Sequence, residues 1–295
     1  MPAKKSFILD RLADGAGRIS PKAAERLSKI LAAFCWMVLR QRRKVVLANM
    51  HIAASGGLEF PLGIQASARL AFDHMAMTAV EFLRGQRYPW VDGVELAGRE
   101  HIDAALDEGR GVFILCAHHG NWEVCGAALS RLVRPAHILV KPIGSPRVNQ
   151  FVLEIRRLNG FRDIDRTRKG DGVRAILRGL AANEMVAFVL DQTRPGEPRL
   201  PFFGAPAQTN TGLAALWRRY RAPIVPCWIE RLSFGKHRLH FRPALKIAEG
   251  LVLEKSATLI AKADIMEVTS LFNLEIESMI RQKPEQYFWM HRRWK

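Results

Sequence analysis

The chain has few cysteines and no apolar run that could cross a membrane. Its four cysteines, Cys35, Cys116, Cys125 and Cys227, stand in apolar surroundings without paired spacing. This pattern argues against a disulfide framework and is typical of reduced, buried thiols in a cytosolic compartment. The most apolar stretch, residues 30–39, is about half of the roughly 20 residues that a spanning helix needs. We therefore expect no transmembrane helix.

Other absences narrow the choice of function further. The N-terminus has no long apolar region and no small-residue cleavage site, so a secretory signal is not expected and the protein should stay inside the cell. No Cys-x-x-Cys or His-x3-His set could complete a metal site. Basic and aromatic residues alternate around Trp217 and Arg221, but no nucleic-acid-binding fold signature accompanies them. No internal repeat or flexible linker divides the chain.

What is present in excess is positive charge. The chain carries 45 Lys and Arg against 28 Asp and Glu, a net charge of +17. An imbalance of this size implies an anionic partner. Nucleic acid, anionic lipid and an acidic carrier protein are all candidates on charge alone.

The most informative stretch is residues 111–123. The apolar run 111–115 predicts a buried strand of a parallel sheet. After Gly120 the apolar residues recur at helical spacing, with Asn121 as the expected N-cap. His118 and His119 therefore lie in a strand-to-helix turn. Turns of this kind, at the carboxyl ends of strands, are where ligands bind in open α/β sheets.

The spacing His118-x4-Glu123 predicts a general base. From the first turn of the helix Glu123 can reach back to the imidazole, fix its tautomer and stabilise the imidazolium. His118 would then activate an acceptor hydroxyl, with no covalent nucleophile. Two other interpretations stay open, namely a pair of metal ligands, or a structural histidine with a solvated glutamate. Cys116 and Cys125 are considered as nucleophiles, but their apolar settings favour packing.

Further polar residues are predicted near the same sheet edge. A strand over 185–190 ends at Asp191 and Gln192, and we assign Asp191 to positioning the acceptor or orienting a basic residue. The charged stretch 162–170 could form a phosphate-binding loop at the start of the helix that follows it. That loop would use Arg166, Arg168 and Lys169, and Lys141, at the end of strand 136–140, is a weaker candidate.

The rest of the chain is predicted to form helices and loops around the central strands. A helix over 21–43 is apolar in its second half and ends in a basic cluster, which suits either a membrane surface or a buried packing role. Two helices around the loop 54–61 cover the sheet. Residues 195–206 should form an ordered loop, residues 258–281 a long helix, and the aromatic and basic tail 287–295 either a lipid anchor or part of the core.

Several of these motifs together resemble one family. The sequence Ala-His-His-Gly-Asn-Trp-Glu at 117–123 looks like the His-x4-Asp/Glu signature of the glycerolipid acyltransferases. It is most similar to the lipid A biosynthesis acyltransferases of the lauroyl and myristoyl type. The similarity extends, in the family's order, through the segments 191–192, 201–204, 211–212, 223–226 and 284–295.

The resemblance implies both a fold and a reaction. The fold is a glycerolipid-acyltransferase-like α/β sandwich with a mostly parallel central sheet. A membrane-associating helical region at 1–95 would precede a catalytic domain at 96–295. A fatty acyl group would pass from an acyl carrier protein thioester to a hydroxyl of a lipid A precursor or related anionic glycolipid. The location implied is the cytoplasmic face of the cell inner membrane, in a peripheral or monotopic manner.

The resemblance also implies roles for residues. His118 and Glu123 would be catalytic, Arg156 and Arg157 would match the family's basic residue near the site, and Arg168 and Lys169 also fit the family. Asn121 and Asp191 complete the predicted substrate-binding set, and backbone N–H groups of the turn would stabilise the oxyanion. No metal or cofactor and no nucleic acid is expected. The alternatives are a coenzyme A ester as donor with another membrane lipid as acceptor, or a non-enzymatic membrane- or RNA-binding module.

Overall fold

A computed structural model describes residues 7–140, 143–165, 171–193, 195–247 and 258–295. The predicted binding residues Lys141, Arg166, Arg168 and Lys169 lie outside these ranges. Four helices come first and a helix-covered sheet follows.

The described chain begins with four helices. They are α1 (Phe7–Arg18), α2 (Pro21–Val38), α3 (Arg40–Ser55) and α4 (Ile64–Arg84). The predicted single helix over 21–43 is wrong in extent, because the backbone at Leu39 leaves the helical region (φ −84, ψ 52) and divides it into α2 and α3. Within the described residues, no helix combines the length and apolar character that crossing a membrane requires.

Strands and helices then alternate along the rest of the chain. The strands are β1 (Val94–Ala97), β2 (Val112–Cys116), β3 (Ala136–Val140), β4 (Arg162–Asp165), β5 (Met185–Val189), β6 (Arg199–Phe202), β7 (Ala205–Gln208), β8 (Ile224–Ser233) and β9 (Lys236–Phe241). The helices are α5 (Arg99–Asp107), α6 (Trp122–Ala128), α7 (Pro146–Leu158), α8 (Asp171–Ala181), α9 (Gly212–Tyr220) and α10 (Thr258–Gln282). A π-helical turn, Leu129–Val133, extends α6.

The main sheet has the strand order β1-β9-β8-β2-β5-β3-β4. Every neighbouring pair is parallel except β8 and β9, which form an antiparallel hairpin. The predicted α/β class with a mostly parallel central sheet is therefore confirmed. The glycerolipid-acyltransferase-like architecture and the division of the chain at residue 95 stay predictions.

One hydrophobic core lies on each face of the sheet. Because successive side chains of a strand point to opposite faces, Leu115 of β2 packs with α3, α4, α9 and α10, whereas Ile114 packs with α5, α6 and α7. Met50 of α3 and Phe72 of α4 belong to the first core, whereas Ala13 of α1 belongs to the second, so the N-terminal helices contribute to both.

Two local expectations need correction. The predicted loop 195–206 contains most of an antiparallel hairpin, β6 and β7, and the charge-dense stretch begins with the edge strand β4. The tail adopts the packing alternative rather than the lipid anchor. Trp289 and Arg293 are each 1% exposed, because Asn49 of α3 and Thr209 hydrogen-bond this segment into the core.

Candidate active site

The central turn joins β2 to α6 at the carboxyl edge of the sheet. β2 ends at Cys116 and α6 begins at Trp122. The Asn121 side-chain oxygen accepts hydrogen bonds from the backbone N–H groups of Glu123 (3.1 Å) and Val124 (3.2 Å). These bonds satisfy two of the unpaired donors at the helix start. The predicted strand-to-helix turn and its Asn121 cap are confirmed.

His118 and Asp191 form a carboxylate–imidazole pair at this edge. Cys116 pairs with Val189 in neighbouring parallel strands, which brings the residues two positions further on opposite each other. His118 Nδ1 lies 2.8 Å from Asp191 Oδ1, and the backbone N–H of His118 donates to Asp191 Oδ2 at 3.0 Å. Since the carboxylate can only accept, Nδ1 carries a proton, and in the neutral imidazole Nε2 therefore keeps its lone pair.

The Asp191 carboxylate stays charged despite its burial. Burial raises its pKa, but the His118 imidazole, the hydrogen bonds from His118 and the Arg293 guanidinium lower it, and the net pKa lies below the ordinary carboxyl value. An ionised carboxylate on Nδ1 stabilises an imidazolium that forms when Nε2 takes a proton. The pair therefore has the electrostatics of a general base.

Glu123 does not make the contact that its spacing predicts. Its two carboxylate oxygens accept a bidentate pair of hydrogen bonds from Arg156 of α7, both at 2.8 Å. A guanidinium fork offers two charge-assisted bonds in the geometry of a carboxylate, whereas an imidazole offers one. The expectation that Glu123 orients His118 is thus wrong, and the carboxylate on the imidazole belongs to Asp191.

The predicted substrate-binding role of Asn121 also needs correction. Its oxygen caps α6, its amide nitrogen donates to Glu81 Oε2 at 2.7 Å, and the residue is fully buried. Both ends of the amide are therefore used inside the protein. Asn121 holds the turn in place and does not face a ligand.

A buried charged cluster is joined to the turn through Glu81, which accepts the hydrogen bond from Asn121. Arg231 of β8 donates to Glu81 of α4 at 2.7 Å, and the Arg231 guanidinium also contacts His74 Nδ1 at 3.0 Å. Burial raises the pKa of Glu81, but Arg231 and His237 lower it more, to below the ordinary carboxyl range. Burial and the Arg231 charge lower the pKa of His74 to about 3. His74 is therefore neutral in the folded protein at neutral pH.

His119 points away from His118 and is structural. Its ring nitrogens lie 3.0 Å from the carbonyl oxygens of Ile229 and Lys283, and burial lowers its pKa even against these contacts. The neighbouring N–H of Gly120 donates to the Gln286 carbonyl at 2.9 Å. These contacts join the turn to the C-terminal segment around residues 283–286.

His118 lines a cavity, and its Nε2 is the ring nitrogen that Asp191 does not contact. Its Nε2 lies 3.3 Å from the side-chain amide nitrogen of Gln192. The rings of Trp122 and Phe288 flank the imidazole, with centroid separations of 5.2 and 5.9 Å. These aromatic neighbours hold the ring orientation and reduce the access of water to one side of it.

A cavity of about 890 Å³ opens beside this nitrogen and runs along the sheet edge. β3 and β5 are paired only as far as Ile138 and Ala187, although β3 stays paired with β4 through Val140 and β5 with β2 through Val189. The two strands therefore part over their last two residues. The cavity is lined by residues of both sheet faces at this split.

One arm of the cavity descends along α6. Trp122, Gly126 and Leu129 line it at spacings of four and three, so they share one face of the helix. Leu129 is at the far end of α6, and Phe161 precedes β4 at the level where the strands begin. Both residues therefore mark the deep end of the arm. A Cβ on Gly126 would lie 2.2 Å from Phe161 Cζ, so only glycine lets this ring abut the helix.

The remaining predicted residues contribute less to the described site. Arg156 lines the cavity, but its charge is balanced by Glu123, so its role toward a phosphate stays a prediction. Arg157 is exposed and is not part of the cavity wall. In the described ranges no His, Cys, Asp and Glu side chains group as metal ligands would, and the four cysteines are free thiols.

Reasoning from the sequence missed the partner of His118 and the support beneath the turn. The sequence offered Asp191 as a candidate partner, because it follows a buried strand just as His118 follows β2, and parallel strands end at the same edge of a sheet. What could not be read was that β2 and β5 are adjacent. Glu81 and Arg231 are separated by 150 positions, and nothing local in either helix or strand marks them as partners.

Comparison with known proteins gives a consistent result. The sequence profile of the family described as bacterial lipid A biosynthesis acyltransferase matches residues 19–295. A lipid A biosynthesis lauroyltransferase of Escherichia coli is 25% identical over 305 residues, covering 98% of this chain and 85% of the relative. A lipid A biosynthesis acyltransferase of Haemophilus influenzae is 24% identical over 199 residues, covering 66% of this chain but only 57% of the relative.

The similarity reaches beyond lipid A enzymes. A phosphatidylinositol mannoside acyltransferase of Mycobacterium tuberculosis is 26% identical over 160 residues, covering 52% of this chain and 49% of that protein. All three relatives are acyltransferases by name.

Proposed function

Because the chain belongs to the bacterial lipid A biosynthesis acyltransferase family, we propose that it transfers a fatty acyl group from acyl carrier protein to a hydroxyl of a lipid A precursor or related anionic glycolipid. The predicted family and, at the level of that family, the predicted enzyme class are confirmed. The observation that carries the proposal is the His118–Asp191 pair, which leaves Nε2 of His118 available as a base beside a cavity with mainly apolar walls.

The proposed reaction needs no covalent enzyme intermediate. His118 Nε2 removes the proton of the acceptor hydroxyl as the oxygen attacks the thioester carbonyl carbon. Asp191, on Nδ1, stabilises the imidazolium. When the tetrahedral intermediate collapses, the carbon–sulfur bond breaks and the thiolate takes the proton from His118. Asp191 thus has the orienting role that was assigned to Glu123, and the Glu123–Arg156 pair is a positioning element that joins α6 to α7.

The α6 arm suits the hydrocarbon chain of the donor. It starts beside the imidazole and is lined by Trp122, Gly126, Leu129 and Phe161, and the mutually paired Glu123 and Arg156 also belong to the cavity wall. A chain lying in it would place the thioester carbonyl at the mouth, close to His118 Nε2. Burial of each methylene group contributes about 0.8 kcal/mol, so a long acyl chain would be held firmly.

The charge and the surface of the N-terminal helices support the rest of the proposal. A net charge of +17 favours an acidic carrier, a phosphorylated acceptor and an anionic membrane. In α2 the small residues Ala24 and Ala32 face inward, while Ile30, Phe34 and Met37 are 68%, 55% and 62% exposed. An exposed apolar stripe beside basic residues fits the headgroup layer of a membrane. We therefore place the protein on the cytoplasmic face of the inner membrane.

Acyl transfer in a purified system tests the proposal. The wild-type protein, acyl carrier protein charged with a fatty acid, and an under-acylated lipid A precursor should give the acylated lipid by mass spectrometry. His118→Ala should abolish the product, whereas His51→Ala, a change at an exposed histidine of α3, should not. A parallel reaction with acyl coenzyme A distinguishes the donors.

A second acceptor is tested in the same assay. The similarity to a phosphatidylinositol mannoside acyltransferase favours including a mannosylated phosphoinositide as acceptor. Salt-sensitive binding to anionic vesicles or RNA without turnover of any donor–acceptor pair would refute the enzymatic proposal and support a binding module.

A further inference from the structure

An attack on a thioester carbonyl places negative charge on its oxygen, which needs hydrogen-bond donors close to the base. Several backbone N–H groups of the turn, which was expected to supply them, are already occupied. The N–H of His118 donates to Asp191, that of His119 to the Ala117 carbonyl and that of Gly120 to Gln286. Further along the chain, the N–H groups of Glu123 and Val124 bond the Asn121 cap. These five N–H groups are committed to internal bonds, and the expectation that the turn supplies the oxyanion donors stays a prediction.

Other polar side chains of the cavity direct their donors into the protein. The hydroxyl of Thr193 donates to the carbonyl of Arg293 at 2.8 Å, with the Arg292 carbonyl also within 3.2 Å, and the Asn210 amide donates to Glu197. Both residues line the cavity but serve internal contacts.

Gln192 differs from these residues because its amide is directed at the reacting nitrogen. Its Nε2 lies 3.3 Å from His118 Nε2, and it lines the cavity. Since Asp191 keeps a proton on Nδ1, Nε2 of the neutral His118 ring can only accept, and the Gln192 amide then presents an N–H to it. A separation of 3.3 Å is long for a hydrogen bond from nitrogen, so the contact is weak and displaceable.

We propose that Gln192 is a catalytic residue that supplies the side-chain donor to the oxyanion. In the free enzyme its amide occupies the place of the acceptor hydroxyl at His118 Nε2. When the hydroxyl binds, the amide moves aside and its N–H stays next to the carbonyl under attack. The new carbon–oxygen bond forms, the hydroxyl proton goes to His118, and the carbonyl electron pair moves onto the oxygen that Gln192 holds. This proposal rests on the proposed acyl transfer.

Kinetics of full-length Gln192 variants test the proposal. Gln192→Ala should lower kcat by about 10²- to 10³-fold, as expected for loss of one oxyanion donor, with KM for both substrates within about 3-fold of wild type. Gln192→Glu keeps the shape but lacks the donor, so kcat should fall as far. The acid limb of its kcat/KM profile should also move to higher pH, because a carboxylate beside His118 favours the imidazolium. Gln282→Ala, a change at an exposed glutamine of α10, is the matched control.

Two results would overturn the proposal. A kcat of Gln192→Ala equal to or above that of wild type would mean that the amide only blocks the base, and a loss confined to KM would mean that it only binds substrate. If the wild-type protein transferred no acyl group, the proposed function would have failed, and the contact of Gln192 with His118 would need a measurement that does not depend on turnover. In ¹⁵N spectra the His118 Nε2 resonance should shift in Gln192→Ala, and an unchanged resonance would contradict the contact itself.

Discussion

The carboxylate that serves the imidazole can be identified by replacing each candidate with its amide. In Asp191→Asn the backbone N–H of His118, which now donates to Asp191 Oδ2 at 3.0 Å, still needs an acceptor. The asparagine oxygen will take that position, which turns its NH₂ group toward Nδ1. Nδ1 must then accept, the ring proton moves to Nε2, and the base is lost. We expect a fall in kcat of up to about 10⁴-fold, the effect known for a wrong tautomer in a catalytic triad.

Glu123→Gln should affect stability instead of chemistry. The change leaves the Arg156 guanidinium, whose side chain is 9% exposed, without its charged partner. Breaking a buried pair from one side costs about 3–5 kcal/mol, which lowers the melting temperature by on the order of 10 °C. Per folded molecule, kcat should stay within about 10-fold of wild type. The double variant Glu123→Leu with Arg156→Met should recover most of the stability, because neither charge is then buried alone.

The two measurements are an acyl-transfer rate and a thermal unfolding curve on the same preparations. Asp191→Asn should lose transfer in the molecules that remain folded, whereas Glu123→Gln should lose stability and keep transfer per folded molecule. Loss of transfer in Glu123→Gln at an unchanged melting temperature, together with an active Asp191→Asn, would refute the assignment of roles. It would restore the dyad that the His-x4-Glu spacing predicts.

Three further changes follow from the same structure. His74 is neutral when folded, with a pKa of about 3 against 6.5 for the ordinary group. The free energy of unfolding should therefore fall by about 1.4 kcal/mol per pH unit as pH drops below 6.5. Urea titrations of His74→Asn should show a flatter pH dependence, and a slope equal to that of wild type would contradict the assignment. Phe161→Leu deepens the α6 arm, so in competition between donors it should favour acyl chains longer by about two methylene groups, by about 10-fold. Phe151→Leu, a change at a buried residue away from the cavity, should leave the preference for chain length unchanged. Equal chain-length profiles for wild type and Phe161→Leu would exclude the arm as the acyl site. Phe34→Glu should weaken binding to anionic vesicles in a flotation assay, whereas Leu274→Glu on α10 should not, and equal binding by both would remove α2 from the membrane contact.

The features that depend on neighbouring residues in the chain were predictable. Buried strand 112–116 reads as an apolar run, Asn121 as a cap and α6 as a helical repeat, because burial and capping leave a mark within a few positions. Helix 258–282 was likewise expected almost to its observed ends. The α2–α3 break at Leu39 was missed, because no proline or glycine marks it and the apolar and basic residues continue across it.

Contacts between distant segments were not predictable in the same way. Glu123 has the spacing of a histidine partner, yet a longer-range competitor, Arg156, offers it two charge-assisted bonds in place of one. The occupied N–H groups of the turn show the same limit, because the Gln286 carbonyl that takes one of them lies at the other end of the chain.

The sequence by itself determined the α/β class, the family, the turn that carries His118 and the excess of positive charge, because each of these is written in local pattern or composition. Only the tertiary structure decided that Asp191 orients the imidazole, that Gln192 faces its free nitrogen and that the cavity enters the sheet between β3 and β5. Strand order decides these points. It places β5 beside β2 and lets β3 diverge from β5. Strand order depends on how the whole core packs, and this cannot be read from any single segment of the sequence.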